Sequence, residues 1–178
     1  MAASEHGPRR LTTFPVRGSN SLGQWRRIVP WWRPARNFFL IYLARFSPSL
    51  RLKRLLYRLT GMRVGRGSSI GLMAMFDVFF PELIELGENS IVGYAATILA
   101  HEFLIDECRT GKVTIGRDVV IGANVTILPG VSVGDRTIVS AGSMVNRDLP
   151  AGVLAGGVPA RIIRRLNEAK PPNPGWAE

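Results

Sequence analysis

From residue 64 onward, aliphatic side chains recur at every sixth position of this 178-residue chain, and few folds can accommodate that period. They stand at 64 and 70, then at 86, 92 and 98, then without a break at 115, 121, 127, 133, 139 and 145. Glycine follows directly at Val64-Gly65, Ile70-Gly71, Leu86-Gly87, Val92-Gly93, Ile115-Gly116, Ile121-Gly122 and Val133-Gly134. A helix repeats near 3.6 residues and a half-buried strand at two, so neither produces six. A coil with six residues on each short side does. The aliphatic side chain then points to the axis and stacks on its equivalent in the next coil, so each coil buries its neighbour's apolar edge. The period predicts an all-β solenoid over residues 64–166, with the glycines read as corner residues where the chain turns.

Two steps break the count. Phe76 to Leu86 spans ten residues and Ile98 to Ile115 spans seventeen, so each implies a loop extruded from the coil. Loops on a rigid scaffold are where function concentrates. The second interruption, residues 99–112, carries His101, the one histidine besides His6. Imidazole accepts a proton near neutral pH, so His101 could deprotonate a hydroxyl or amine attacking an activated acyl group. Backbone N–H groups of the coil could hold the oxyanion that results. A histidine satisfied by local hydrogen bonds is the simpler reading of the spacing alone, and both readings stay open at this point. No metal is expected, because one histidine and one cysteine outside the N-terminal region fall short of a zinc ligand set. Cys108 as a nucleophile would need a second histidine as its base, and its solitude also excludes a disulfide framework. No phosphate-binding loop motif is present.

The net charge of +10 is unevenly placed. Residues 1–63 hold thirteen Lys and Arg against one acid, Glu5, whereas residues 64–178 hold ten against twelve. The segment 1–24 lacks periodicity and reads as a flexible tail. Residues 25–63 read as a basic amphipathic helical module. One helix is expected over about 37–46, and a second over about 48–60, with Ser47 as its N-cap, Pro48 at its first position and Gly61 past its end. In the second helix Leu52, Leu55, Leu56 and Leu59 share one face, with Arg51, Lys53, Arg54 and Arg58 opposite. Leucines packed on the solenoid as an N-terminal cap are the first reading of that face. Docking on anionic lipid, motivated by Trp25, Trp31 and Trp32 among arginines, is the second. Nucleic acid is not expected as a partner, since no recognition motif accompanies the charge. No apolar run is long enough for a spanning helix, and residues 1–25 lack the apolar core of a signal peptide, so a cytoplasmic setting is expected, with peripheral contact at the inner membrane face through the basic helices left open. A short helix is expected over 162–169, and a C-terminal tail over 167–178, where Pro171, Pro172 and Pro174 stop regular structure.

The run from Ile115 to Val145, followed by Gly156-Gly157-Val158-Pro159-Ala160-Arg161-Ile162-Ile163, resembles the hexapeptide-repeat acyltransferases, and within them the maltose/galactoside O-acetyltransferase and xenobiotic acetyltransferase branch. The N-terminal helices look similar to those of a group of bacterial proteins regarded as acetyltransferases. The resemblance covers about residues 64–166 and implies a left-handed parallel β-helix, a handedness that parallel crossovers otherwise avoid. It implies acetyl-CoA as co-substrate, a homotrimer with active sites shared between subunits, and His101 as general base. The family's acetyl-CoA contacts would fall on Ala123, Ala141, Asn146, Arg147, Arg161 and Arg164, the two last facing phosphates. Departures accompany the match. Glu102 stands where the family has proline after the histidine, Val120 where relatives often carry tryptophan, and Asn146-Arg147 where Thr-Lys is common. Positions matching the Asn and Asp of galactoside-type relatives hold Met73 and Pro81, and Asp77 is the candidate substitute contact for the acceptor.

The expected function is CoA-dependent acyl transfer, with acetyl as the expected donor group, to a hydroxyl or amine of a sugar-like or other small acceptor. The alternatives are a non-catalytic β-solenoid scaffold and an acyltransferase working on a membrane-associated acceptor.

Overall fold

The computed structural model describes residues 9–166. It opens with strand β1 (Thr12–Pro15), followed by helices α1 (Trp25–Ile28), α2 (Trp32–Phe46) and α3 (Leu50–Leu59). The chain then runs through short strands in sets of three: β2 (Arg63–Val64), β3 (Ser69–Ile70) and β4 (Met75–Phe76), then β5 (Ile84–Leu86), β6 (Ile91–Val92) and β7 (Thr97–Ile98). A hairpin, β8 (His101–Phe103) and β9 (Glu107–Thr110), interrupts before β10 (Val113–Ile115), β11 (Val120–Ile121) and β12 (Thr126–Ile127). The sets close with β13 (Ser132–Val133), β14 (Ile138–Val139) and β15 (Met144–Val145), then β16 (Val153–Gly157) and β17 (Ala160–Arg165).

Pairing follows the six-residue period. Every third coil strand enters the same parallel sheet, giving β2-β5-β10-β13, β3-β6-β11-β14-β16 and β4-β7-β12-β15. The periodic aliphatics sit in register and are buried, for instance Phe76 on Ile98 on Ile127 on Val145. Both breaks in the count leave the coil as expected, at residues 77–83 and 99–112.

The glycines serve a different purpose from the one expected. Those that follow the aliphatic residue mark close approach between coils: a Cβ on Gly93 would lie 2.7 Å from Ala123 N, and on Gly122 2.5 Å from Ala141 N. The left-handed turn residue comes two positions later, and non-glycines such as Ala95, Asp118, Asn124 and Arg136 adopt it.

Three expectations about the ends need correction. Within the segment expected to be a flexible tail, β1 pairs antiparallel with β9, and Ser21 is buried with its N–H and Oγ–H both donating to Leu104 O. The extruded hairpin offers a free strand edge, and the N-terminal segment fills it. At the C-terminus, residues 160–165 form β17 rather than the start of a helix. Gly157, at φ 102°, reverses the chain so that β17 covers the open edge of β16. The remainder of the helix and tail expected there, residues 167–178, lies outside the described residues. In the helical module α2 begins at Trp32, ahead of the expected start, and the N-cap of α3 is Ser49, whose Oγ accepts from Leu52 N. Ser47 instead closes α2.

The fourth correction reverses a helix face. Of the expected leucine face only Leu56 packs on the core; Leu52, Leu55 and Leu59 point outward, while Lys53 and Tyr57, at 1% and 0% exposure, face the coil. The cause lies in the strand polarity. Strand N–H groups of one coil donate to carbonyls of the next, as Gly65 N does to Leu86 O and Gly71 N to Val92 O. The first coil therefore turns strand carbonyls toward the helices, and only donors can satisfy them. Lys53 Nζ donates to Gly71 O at 2.7 Å, Arg54 to Ser68 O at 3.1 Å, Arg58 Nε to Val64 O at 2.9 Å and Tyr57 Oη to Ala74 O at 3.3 Å. Arg45 Nε likewise reaches Met73 O at 3.2 Å. Burial pushes the Lys53 ammonium below the usual lysine pKa and the Tyr57 phenol above the usual tyrosine value. The module caps the coil as expected, but through its polar face.

Candidate active site

His101 begins β8 where the chain leaves the coil after β7, and Asp77 occupies the equivalent corner one coil earlier, directly after β4. Stacking of Phe76 on Ile98 thus brings together two residues twenty-four positions apart. His101 Nδ1–H donates to Asp77 Oδ2 at 2.5 Å. The same oxygen accepts from Ala100 N at 2.8 Å, and Oδ1 accepts from Phe79 N and Phe80 N, each at 2.8 Å. An ionised carboxylate only accepts, so it fixes the imidazole proton on Nδ1 and leaves the Nε2 lone pair available as a base.

Asp77 is 1% exposed, and both its oxygens are engaged behind the imidazole. It is therefore not the acceptor contact that the sequence suggested. It orients His101, whose side chain retains 14% exposure. The position matching the family's proline is also settled by a partner: Glu102 pairs with Arg9 at 2.5 Å, tying the N-terminal segment to the hairpin.

Aromatic rings surround the imidazole. Phe103 lies 4.5 Å from it, Phe79 5.0 Å and Phe80 5.7 Å between ring centroids, and Trp25 packs on Phe79 at 5.6 Å. These rings escaped the sequence reading, which followed titratable groups. The available signal was Val78-Phe79-Phe80, an apolar run placed where the six-residue period fails. Met73 and Pro81 lie elsewhere in function: Met73 is a left-handed corner bonded to Arg45, and buried Pro81 opens the turn that leads into β5.

The remaining candidate residues fall into three groups. Ala123 and Ala141 occupy one corner of adjacent coils, where Ala123 O accepts from Gly142 N. Asn146 and Arg147 follow β15 on the same corner as Asp77 and His101, two coils beyond β7 and so roughly 10 Å along the stack. Arg161 and Arg164 project from the exposed face of β17. Among the described residues, Arg147, Arg161 and Arg164 have no carboxylate partner. Cys108 is buried in β9, and burial, with the Asp77 charge adding to it, pushes its thiol up to about 11. That holds it protonated at neutral pH and removes it as a nucleophile.

A parallel coil of six-residue sides with a carboxylate-bound histidine on an extruded loop defines a class that known proteins share. Residues 112–147 match the bacterial transferase hexapeptide family (six repeats). YvoF of Bacillus subtilis (strain 168), named as an acetyltransferase, is 50% identical over 161 residues, covering 90% of this chain and 94% of that protein. A hexapeptide-repeat acetyltransferase from Vibrio cholerae O1 biovar eltor, VCA0836, solved with acetyl-coenzyme A, superposes with a TM-score of 0.61 at 25% identity, over 77% of this chain and 88% of that one. A galactoside acetyltransferase solved with coenzyme A gives 0.61 at 26% identity, over 76% and 82%. The chain belongs to the hexapeptide-repeat acetyltransferases, and it is an enzyme of that type, with the left-handed β-helix that those structures imply.

Proposed function

We propose that this enzyme transfers an acetyl group from acetyl-CoA to a hydroxyl or amine of a sugar-like or other small acceptor, with His101 as general base. The observation that carries the reading is the Asp77–His101 pair, in which a buried carboxylate fixes the tautomer that leaves Nε2 free. Nε2 takes the acceptor's proton as its oxygen or nitrogen attacks the thioester carbonyl. Backbone N–H groups stabilise the oxyanion, and collapse releases CoA as thiolate, which regains a proton.

Acetyl-CoA would lie along the coil, with its pantetheine beside Ala141, and with Ala123, Asn146 and Arg147 as further contacts along the groove. Arg161 and Arg164 would meet its phosphates. Their exposure and lack of carboxylate partners among the described residues suit them to that anion. Three copies would share the sites, so that the open side of His101 faces a neighbouring coil. On the acceptor side, Phe79, Phe80 and Phe103 offer apolar ring edges, while Met73 and Pro81, which hold a corner and a turn, supply none of the polar contacts that galactoside-type relatives have at those positions. These features favour an acceptor other than a galactoside.

Thiol release from acetyl-CoA, measured over a panel of sugar, amine and lipid-linked acceptors, tests the reading. His101→Ala should lower turnover with the responding acceptor by at least about a hundredfold. Transfer that survives this substitution would overturn the mechanism.

A further inference from the structure

The inverted packing of α3 leaves a surface that the catalytic reading does not use. On α2, Phe38, Phe39, Tyr42, Leu43 and Phe46 are all exposed, Phe39 by 68% and Leu43 by 62%. Phe38 stacks on Tyr42 at 5.7 Å, and Tyr42 meets Phe46 at 4.9 Å, so the rings form one continuous stripe. On α3, Leu52, Leu55 and Leu59 continue it. The two helices join along an apolar groove lined by Tyr42, Leu43, Phe46, Ser47 and Leu52. A contiguous apolar patch of this kind on a folded chain marks a surface that something covers.

Charge selects the occupant. No Asp or Glu occurs between His6 and Phe76. Arg36 lies over the Trp32 ring at 5.6 Å and is exposed, and Arg51 is exposed on α3. Among the described residues, neither of these two arginines has a carboxylate partner. A second copy meeting this face through a two-fold axis would bring two acid-free basic surfaces together. A nucleic acid would neutralise the arginines but leave the leucines and phenylalanines in water. An anionic bilayer supplies both chemistries at once, with phosphates at the depth of the guanidinium groups and acyl chains below them. Neither helix is long and apolar enough to cross a membrane, so the geometry is that of helices lying in the interface.

We propose that the outward face of α2 and α3 docks the protein on anionic lipid bilayers. The inference stands apart from the acetyl-transfer reading, since its test involves no turnover. The full chain is sedimented with vesicles of phosphatidylcholine alone and with vesicles of equal parts phosphatidylcholine and phosphatidylglycerol. Partition into the anionic vesicles should be at least about tenfold stronger and should weaken with salt. The double variant Phe39→Glu with Leu55→Glu should lose that partition while keeping its melting temperature and its mass by light scattering. The proposal is overturned if the full chain stays in the supernatant, if both vesicles bind it equally, or if the double variant still sediments. It is also overturned if the double variant changes the mass, because the face would then be covered by another copy.

Discussion

At His101 the decisive neighbour is a carboxylate that water cannot reach. Asp77 spends both oxygens on the backbone N–H groups of Phe79, Phe80 and Ala100 and on the imidazole, so its charge is stabilised without solvent. Such a carboxylate controls which imidazole nitrogen is a base. Asp77→Asn preserves size yet must present an amide N–H on one side. If that group faces His101, it donates to Nδ1 and drives the proton onto Nε2, where it blocks catalysis. The expected outcome is a loss of turnover of about a hundredfold or more, with acetyl-CoA affinity nearly unchanged. Steady-state kinetics separating kcat from KM reads the difference. An unchanged kcat would remove Asp77 from its positioning role. His101 itself was legible in the sequence, as the lone imidazole of an interrupted repeat. Its partner was not, because Asp77 comes into reach only when Phe76 stacks on Ile98.

The elements show why amphipathic pattern alone misplaced α3. Sequence periodicity divided the helix correctly into leucine and basic faces, but it carried no information about what the coil would offer. A β-helix ends in a row of strand carbonyls, and leucine has nothing to give them. Lys53, Arg54, Tyr57 and Arg58 are donors, so the polar face turns inward together with Leu56, and Leu52, Leu55 and Leu59 turn outward. Lys53→Leu, which would make the helix more apolar, should therefore destabilise the protein by about 1–3 kcal/mol, the cost of leaving Gly71 O buried without a donor. Denaturant unfolding would measure it. A gain in stability would mean that the carbonyl finds another partner. The same logic of open edges accounts for the two other surprises in the chain: β1 covers the hairpin and β17 covers β16, each supplying a strand where sequence suggested tail or helix.

For the whole molecule, the arrangement separates two tasks. The coil holds the chemistry at one corner, and the helical cap holds a basic apolar face, with α2 linking them through Asn37 Nδ2 to Val78 O and Arg33 to Glu82. A lipid-associated acceptor would join the two tasks. The proposed trimer with shared sites gives a prediction at this scale: light scattering on the purified protein should return the mass of three chains, and a monomer fully active at the same concentration would exclude sites shared between copies. The sequence by itself determined the coil, its register and the positions of both loops, because a six-residue period admits one kind of stacking and each departure from it must leave the stack. It also singled out His101. Which face of α3 packs, which carboxylate holds the base and which strands seal the edges were decided only by the tertiary structure. Each of those depends on backbone groups left unpaired at the margins of the coil, and side-chain pattern does not record them.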